Sequence, residues 1–393
     1  MNELKSLALA NADYFTKIRR HLHQNPELGH QEHNTSAFIR KELESYGIEL
    51  GTNIAPTGVV GILKGEKAGS DQVTALRADI DALPILEKTG LEYQSAVEGL
   101  MHACGHDGHT TMLLAAAKLL ADKRSEFSGT VKFIFQPAEE RLNGAITMVD
   151  AGVLEDPKVD SIIALHSWPH LPTGMLGIWD GAYYASGDSF KITVRGSSGH
   201  GAYPHRTKDA LLAASHMVVA LQAITSRQLD AIENTVLSVC TFHAGTAFNI
   251  IPDTVEIEGT VRSHNRDIRE SMPGRMEKII RGVLSAFDCD YEFDYVKGVS
   301  PVVNNPATVA DVVEAATQVN GADSIVTLPG PVMGSEDFAE YNARVEDSAI
   351  FRIGIAKEGE EEIALHNECF NYNDETIPYG AAILAQYVLN KNK

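Results

Sequence analysis

Cysteine, basic residues and long apolar runs are all scarce in this chain, and each scarcity excludes something. Only Cys104, Cys240, Cys289 and Cys369 occur among 393 residues. Their wide separation offers no disulfide framework. Lys and Arg number 33 against 53 Asp and Glu, for a formal net charge of −20. A phosphate backbone is gripped by concentrated Lys and Arg, so this balance argues against a nucleic-acid partner. The excess of carboxylates reads as a solvated acidic surface. No apolar run approaches the length of a bilayer span, so no membrane partner is expected. The opening MNELKSLALANADYF lacks a basic n-region and a small-residue cleavage site, and is not expected to be a signal peptide. Internal repeats and low-complexity segments are also missing. The default expectation is a cytoplasmic protein.

What is present is an ordinary globular composition in a chain too long for one core, so two domains are expected. Val73–Arg77, Val131–Phe135 and Ser161–Leu165 are short apolar runs of the kind that form buried parallel strands. Between the first two lies a strongly apolar helical stretch, about Thr110–Leu120. This alternation predicts an α/β domain with a mixed, mostly parallel sheet between helices. Near Tyr184 the pattern changes. A strand at Phe190–Arg195, a helix at Asp209–Thr225, strands at Thr235–Phe242 and Thr254–Val261, a helix at Ile268–Phe287 and a strand at Tyr291–Val296 follow in turn. That β-α-β-β-α-β order predicts a ferredoxin-like α+β domain. After Pro301 the first texture returns, with a helix at Ala307–Val319, a strand at Ala349–Ile355 and a last helix after Pro378. The expected organisation is residues 1–184 and 301–393 as one domain, with 185–300 inserted into it.

The chemistry is written just past the predicted strands. Asp79-Ile80-Asp81 follows the first, Pro137-Ala138-Glu139-Glu140 the second and His166 the third, while Ala349–Ile355 precedes His366. Ligands of open α/β sheets bind at the carboxyl ends of the strands, so these residues should share one crevice. Cys104 and His106 join them from the turn ahead of the buried helix. Singly, each has a bland reading: a structural His, a turn Asp, a surface Glu pair, a Cys acting as a small buried hydrophobe. Together, thiolate, imidazoles and carboxylates form a donor set for zinc, manganese, cobalt or nickel. Burying so many ionisable groups without a cation would be costly.

Five motifs in order now carry a resemblance. Arg77-Ala-Asp-Ile-Asp-Ala-Leu-Pro84, His102-Ala-Cys-Gly-His-Asp-Gly-His109, Pro137-Ala-Glu-Glu140, Gly199-His-Gly-Ala-Tyr-Pro-His205 and Ser335-Glu-Asp-Phe338 resemble the M20 metallopeptidase superfamily. The match is to its amidohydrolase branch of hippurate hydrolases, N-acyl-amino-acid deacylases and auxin-conjugate hydrolases. It runs from Arg19-Arg-His-Leu-His-Gln-Asn-Pro-Glu-Leu28 to His366. The resemblance implies a catalytic domain with an inserted lid and dimerisation domain, and two divalent metal ions per subunit.

By the same resemblance Cys104 bridges the metals, His106 and His166 complete one site, and Glu140 and His366 complete the other. Glu139 is the general base and Asp81 a carboxylate that orients a ligand. His200 stabilises the oxyanion, and Asn249 and Arg262 grip the substrate. The implied reaction is hydrolysis of the amide bond of N-acyl amino acids or related small amides. Other readings are a dipeptidase or short-peptide metallopeptidase with the same centre, a cysteine hydrolase using Cys104 with His102 or His106, and a non-catalytic metal-binding protein. The resemblance further implies a homodimer joined through the inserted domain, with His200 donated to the neighbour. His264 after Arg262-Ser263, and Asn-Glu-Cys-Phe after His366, depart from the branch. His21, His23, His30 and His33 read as surface or structural residues.

Overall fold

The computed structural model describes residues 2–51 and 55–393. By internal contacts they divide into two compact units. The first comprises residues up to Gly181 with Val303–Gly330 and Asp337–Lys393; the second comprises Ala182–Val302 with Pro331–Glu336.

The first unit is built on a sheet of eight strands among the described residues, in the spatial order Glu49–Leu50, Val59–Lys64, Thr130–Gln136, Val73–Asp79, Ser161–Pro172, Asp347–Ala356, Leu176–Ile178, Ile325–Thr327. The four central strands run parallel to their neighbours, and antiparallel pairs join Val59–Lys64 and Leu176–Ile178 to them. The result is the mixed, mostly parallel sheet expected. Val73–Asp79 is buried at every position, as a strand covered on both faces must be. Helix His106–Asp122 is buried along most of its length and packs against the helices Ala12–Gln24 and Ile377–Lys391. Ala-, Leu- and Met-rich faces of these helices meet Leu76, Phe133, Ile163 and Phe351 of the sheet in one core. The strand expected to end at Leu165 continues to Pro172, because Asp347–Ala356 keeps pairing with it past His166.

The second unit is an antiparallel sheet ordered Thr235–Ala244, Thr254–Ser263, Gly187–Arg195, Asp290–Val299. Helices Ala210–Ala223 and Arg266–Ser285 pack on it. With the chain order β-α-β-β-α-β, this is the ferredoxin-like arrangement. Its core joins Ile192, Val194, Val255 and Ile257 to Ala213, Met217, Met276 and Ile280. Pro331–Glu336 returns to this unit, which the sequence reading did not foresee. Ala185 N–H donates to Gly334 O at 3.0 Å, and His264 Nε2 donates to Val332 O at 2.8 Å.

One helix is apolar on average without an unbroken apolar run. The stretch Ala210–Gln228 is 19 helical residues of mean hydropathy 1.2, long and apolar enough by length and composition to cross a membrane. Ser215, His216 and Gln222 interrupt its apolar run and hid it from a scan for unbroken apolar residues. Ala210, Ala213, Ala214, Met217, Leu221 and Ile224 are buried against the sheet.

Candidate metal centre

The parallel strands deliver their carboxyl ends to one place in the first unit. Cys104 and His106 arrive from the turn before helix His106–Asp122. Between them Gly105 is left-handed at φ 87°; a Cβ there would lie 2.7 Å from Ser167 Oγ, so both the conformation and the space require glycine. His106 is the first residue of the helix and fully buried. Its Nδ1 donates to the backbone and carboxylate oxygens of Asp81, at 3.0 and 3.2 Å. That contact favours the tautomer whose Nε2 is left to ligate. His166 is set the same way, Nδ1 donating to Ser167 O at 2.8 Å, with Nε2 3.6 Å from Cys104 Sγ.

Glu139 and Glu140 sit on a tight turn, Glu139–Arg141, bracketed by two non-glycine residues in the left-handed region, Ala138 at φ 52° and Leu142 at φ 54°. His366 is left-handed as well, at φ 64°. Each such residue costs about 1–2 kcal/mol, and strain of this kind persists where the surroundings over-determine it. Here the determinants are explicit. Asp81 Oδ1 and Oδ2 accept the N–H groups of Glu139 and Glu140, both at 3.1 Å, and His366 N–H donates to Ala103 O at 2.8 Å. His366 Nε2 then lies 3.4 Å from Glu140 Oε1.

The five predicted ligands fall into two groups, Cys104–His106–His166 and Cys104–Glu140–His366. In each, one donor atom from every residue lies within 4.8 Å of the others, and Cys104 belongs to both. His106 Nε2 and Glu140 Oε1 are buried with no hydrogen-bond partner among the described residues. Such orphans are expensive unless something else completes them, and a cation between them would. Burial pushes the Cys104 thiol up to about 12, so a nearby dication is what would make it a thiolate. Burial opposes charge on Glu140 too, but His366 and His106 outweigh it and hold the carboxyl below its ordinary range. Burial, helped by Arg352, keeps the His166 imidazole well below its usual value and so neutral, the form that ligates. The donor set fits divalent cations. Glu139 is buried nearby, with Oε2 4.0 Å from His106 Nε2.

Residues that sequence reasoning underrated surround this set. Asp79, which taken singly read as a turn residue, forms a further candidate group with His106 and His109. Its Oδ1 accepts from His109 Nδ1 at 2.6 Å, and Arg77 Nη1 donates to its Oδ2 at 2.9 Å. Arg77 also donates to Gln136 and to Asp337. The signal was available in an arginine inside an otherwise apolar buried strand. Behind the ligand turn, buried Asp107 is ion-paired with Arg19, Nε lying 2.9 Å from Oδ2, and accepts from His23 Nδ1 at 2.8 Å. His23 is thus an interior residue, and its i,i+4 spacing from Arg19 was the clue.

In the second unit, described by itself, Gly199–His200 pairs with Ile250–Ile251 in a two-stranded ribbon, with His200 opposite Ile250. His200 is exposed. Its Nδ1 accepts the Ala202 N–H at 3.0 Å, which leaves Nε2–H as an outward donor. Asn249, also exposed, is anchored through its carbonyl to Gly201 N–H at 2.9 Å. Arg262 is half-buried on strand Thr254–Ser263, and its Nη1 donates to Val261 O at 3.2 Å and to the Thr260 hydroxyl.

Residues 75–390 match the family described as Peptidase family M20/M25/M40. The chain belongs to that family. Among its relatives, a hippurate hydrolase of Campylobacter jejuni is 40% identical, the match spanning 95% of this chain and 96% of the relative. An N-acetylcysteine deacetylase of Bacillus subtilis is 37% identical over 96% of this chain and 97% of its own. The crystal structure of Bacillus subtilis YXEP protein, described as a dinuclear metal binding peptidase from M20 family, superposes with a TM-score of 0.85 at 34% identity, covering 97% and 98% of the two chains.

Proposed function

We propose that this chain hydrolyses the amide bond of N-acyl amino acids with the help of two divalent cations, drawn from zinc, manganese, cobalt or nickel. That it is a hydrolase of amide bonds follows from its family. What carries the finer reading is the pair of donor groups sharing Cys104, with the Glu139 carboxylate beside them. Cations held there would polarise the amide carbonyl and acidify the attacking water. Glu139 takes the water's proton during attack and passes it to the departing amine. His106 and His166, pinned through Nδ1, present Nε2 without reorganising, and Asp81 keeps both the His106 ring and the glutamate turn in register. Relatives that act on hippurate and N-acetylcysteine by name support an N-acyl amino acid as substrate. The four free cysteines suit a reducing cytoplasm.

Such a substrate presents a free carboxylate, and a guanidinium fork recognises that group in two places. Arg262→Ala is therefore expected to raise KM about 10- to 100-fold for N-acyl amino acids, and much less for their carboxamides. Steady-state kinetics on matched acid and amide pairs check this; equal effects on both would remove Arg262 from substrate recognition. The relative YXEP, described as a peptidase, keeps short peptides, dipeptides among them, as the competing substrate class to be tested. A screen of N-acetyl, N-benzoyl and dipeptide substrates with each metal in turn decides between them, and a preference for dipeptides would overturn the reading.

His200 is assigned to the oxyanion, with Nε2–H as the donor that its Nδ1 contact leaves free. We place it in trans, within a homodimer joined through the ferredoxin-like unit. Mixing Glu139→Gln with His200→Ala subunits, under conditions that allow exchange, should restore activity from two inactive parents. The restored site combines an intact Glu139 with the partner's His200. Verified exchange without recovery would put His200 in its own subunit's site or outside catalysis.

A further inference from the structure

Outside the donor set, the buried carboxylate of Glu32 has no ion pair among the described residues. Glu32, ahead of helix His33–Ser45, is 0% exposed. Burial pushes its pKa upward, against hydrogen bonds that favour the charged form. Interiors seldom keep a carboxyl group unless its oxygens are needed as acceptors. Both are used here. Oε1 accepts the Ala138 N–H at 2.8 Å, and Oε2 accepts the Thr57 hydroxyl at 2.7 Å.

Ala138 is the left-handed residue that opens the Glu139–Glu140 turn. Three successive amides of that turn therefore end on carboxylates from two different segments: Ala138 on Glu32, Glu139 and Glu140 on Asp81. The segment carrying Glu32 is pressed against the turn, since a Cβ on Gly29 would lie 2.9 Å from Ala138 Cα. Without Glu32 the Ala138 N–H would be stranded in a closed interior, and the peptide could relax out of its strained conformation. Glu139 follows directly. Glu140 is held further by His366 and His106 around its carboxylate, so it should move less.

We infer that Glu32 is a positioning residue for the reaction, aiming the Glu139 carboxylate by fixing the peptide before it. This rests on the reading of Glu139 as the base. Glu32→Ala is expected to lower kcat about 10- to 100-fold, with KM and metal affinity near parental. Glu32→Gln, whose carbonyl oxygen can still accept the Ala138 N–H while its amide faces Thr57, should recover most of the rate. Thr57→Val, which leaves the carboxylate unanchored on one side, should give a smaller loss of kcat, and it carries the test if Glu32→Ala does not fold. Metal affinity is read by chelator competition and kcat well below the unfolding temperature. Parental kcat in the variants that fold, or a rate loss that only tracks metal loss, would overturn the inference. Glu139→Gln run alongside separates the two levels. If it is inactive while the Glu32 and Thr57 variants turn over normally, only this inference fails; if it turns over normally, the reading beneath it fails as well.

Discussion

Glu139→Gln should cut turnover by about 10²- to 10⁴-fold, the usual worth of a positioned general base, while leaving the metal complement intact. Gln matches Glu in shape, but it cannot carry a proton from water to amine. The two groups that share Cys104 do not include Glu139, and Glu140 supplies the carboxylate to the one containing His366. The backbone of the turn is held by Asp81 whatever side chain stands at 139. Single-turnover rates with metal analysis of the same samples check both halves. Near-parental turnover would move the base elsewhere, and metal loss would make Glu139 a ligand.

Cys104→Ala should be as severe by another route. Cys104 is the one donor in both groups, so its loss weakens two sites at once, and activity should fall below detection together with metal content. A cysteine hydrolase also predicts an inactive variant, but with nothing lost on the metal side. Burial argues against that rival, because a thiol pushed up to about 12 is a poor nucleophile at neutral pH. Atomic absorption on the purified variant, beside the parent, separates the two accounts.

The legible part of this protein was whatever local periodicity and strand ends could carry. Val73–Asp79, Thr130–Gln136 and Asp347–Ala356 announced themselves as β-rich runs, and the polar residues just past them converge as strand-end residues of a parallel sheet should. The switch at Tyr184 to a β-α-β-β-α-β order was equally plain. What escaped has no local signature. Left-handed backbone at Ala138, Leu142 and His366 is invisible because none is glycine or asparagine; contacts from distant segments impose it. The ties of Glu32 to Ala138 and of Arg77 to Asp337 span 106 and 260 positions, and no window on the sequence can register them. Pro331–Glu336 looked like part of the returning α/β texture, yet its backbone pairs with Tyr183 and Ala185. The apolar average of helix Ala210–Gln228 does not show as an unbroken run, which is a stricter test than mean hydropathy over a helix.

Titration of metal-stripped protein with one cation, following activity and bound metal together, tests the central claim most directly. The account predicts no turnover without metal, two ions bound per chain at saturation, and full activity only as the second equivalent binds. Parental activity in protein that a chelator has stripped of metal would contradict it.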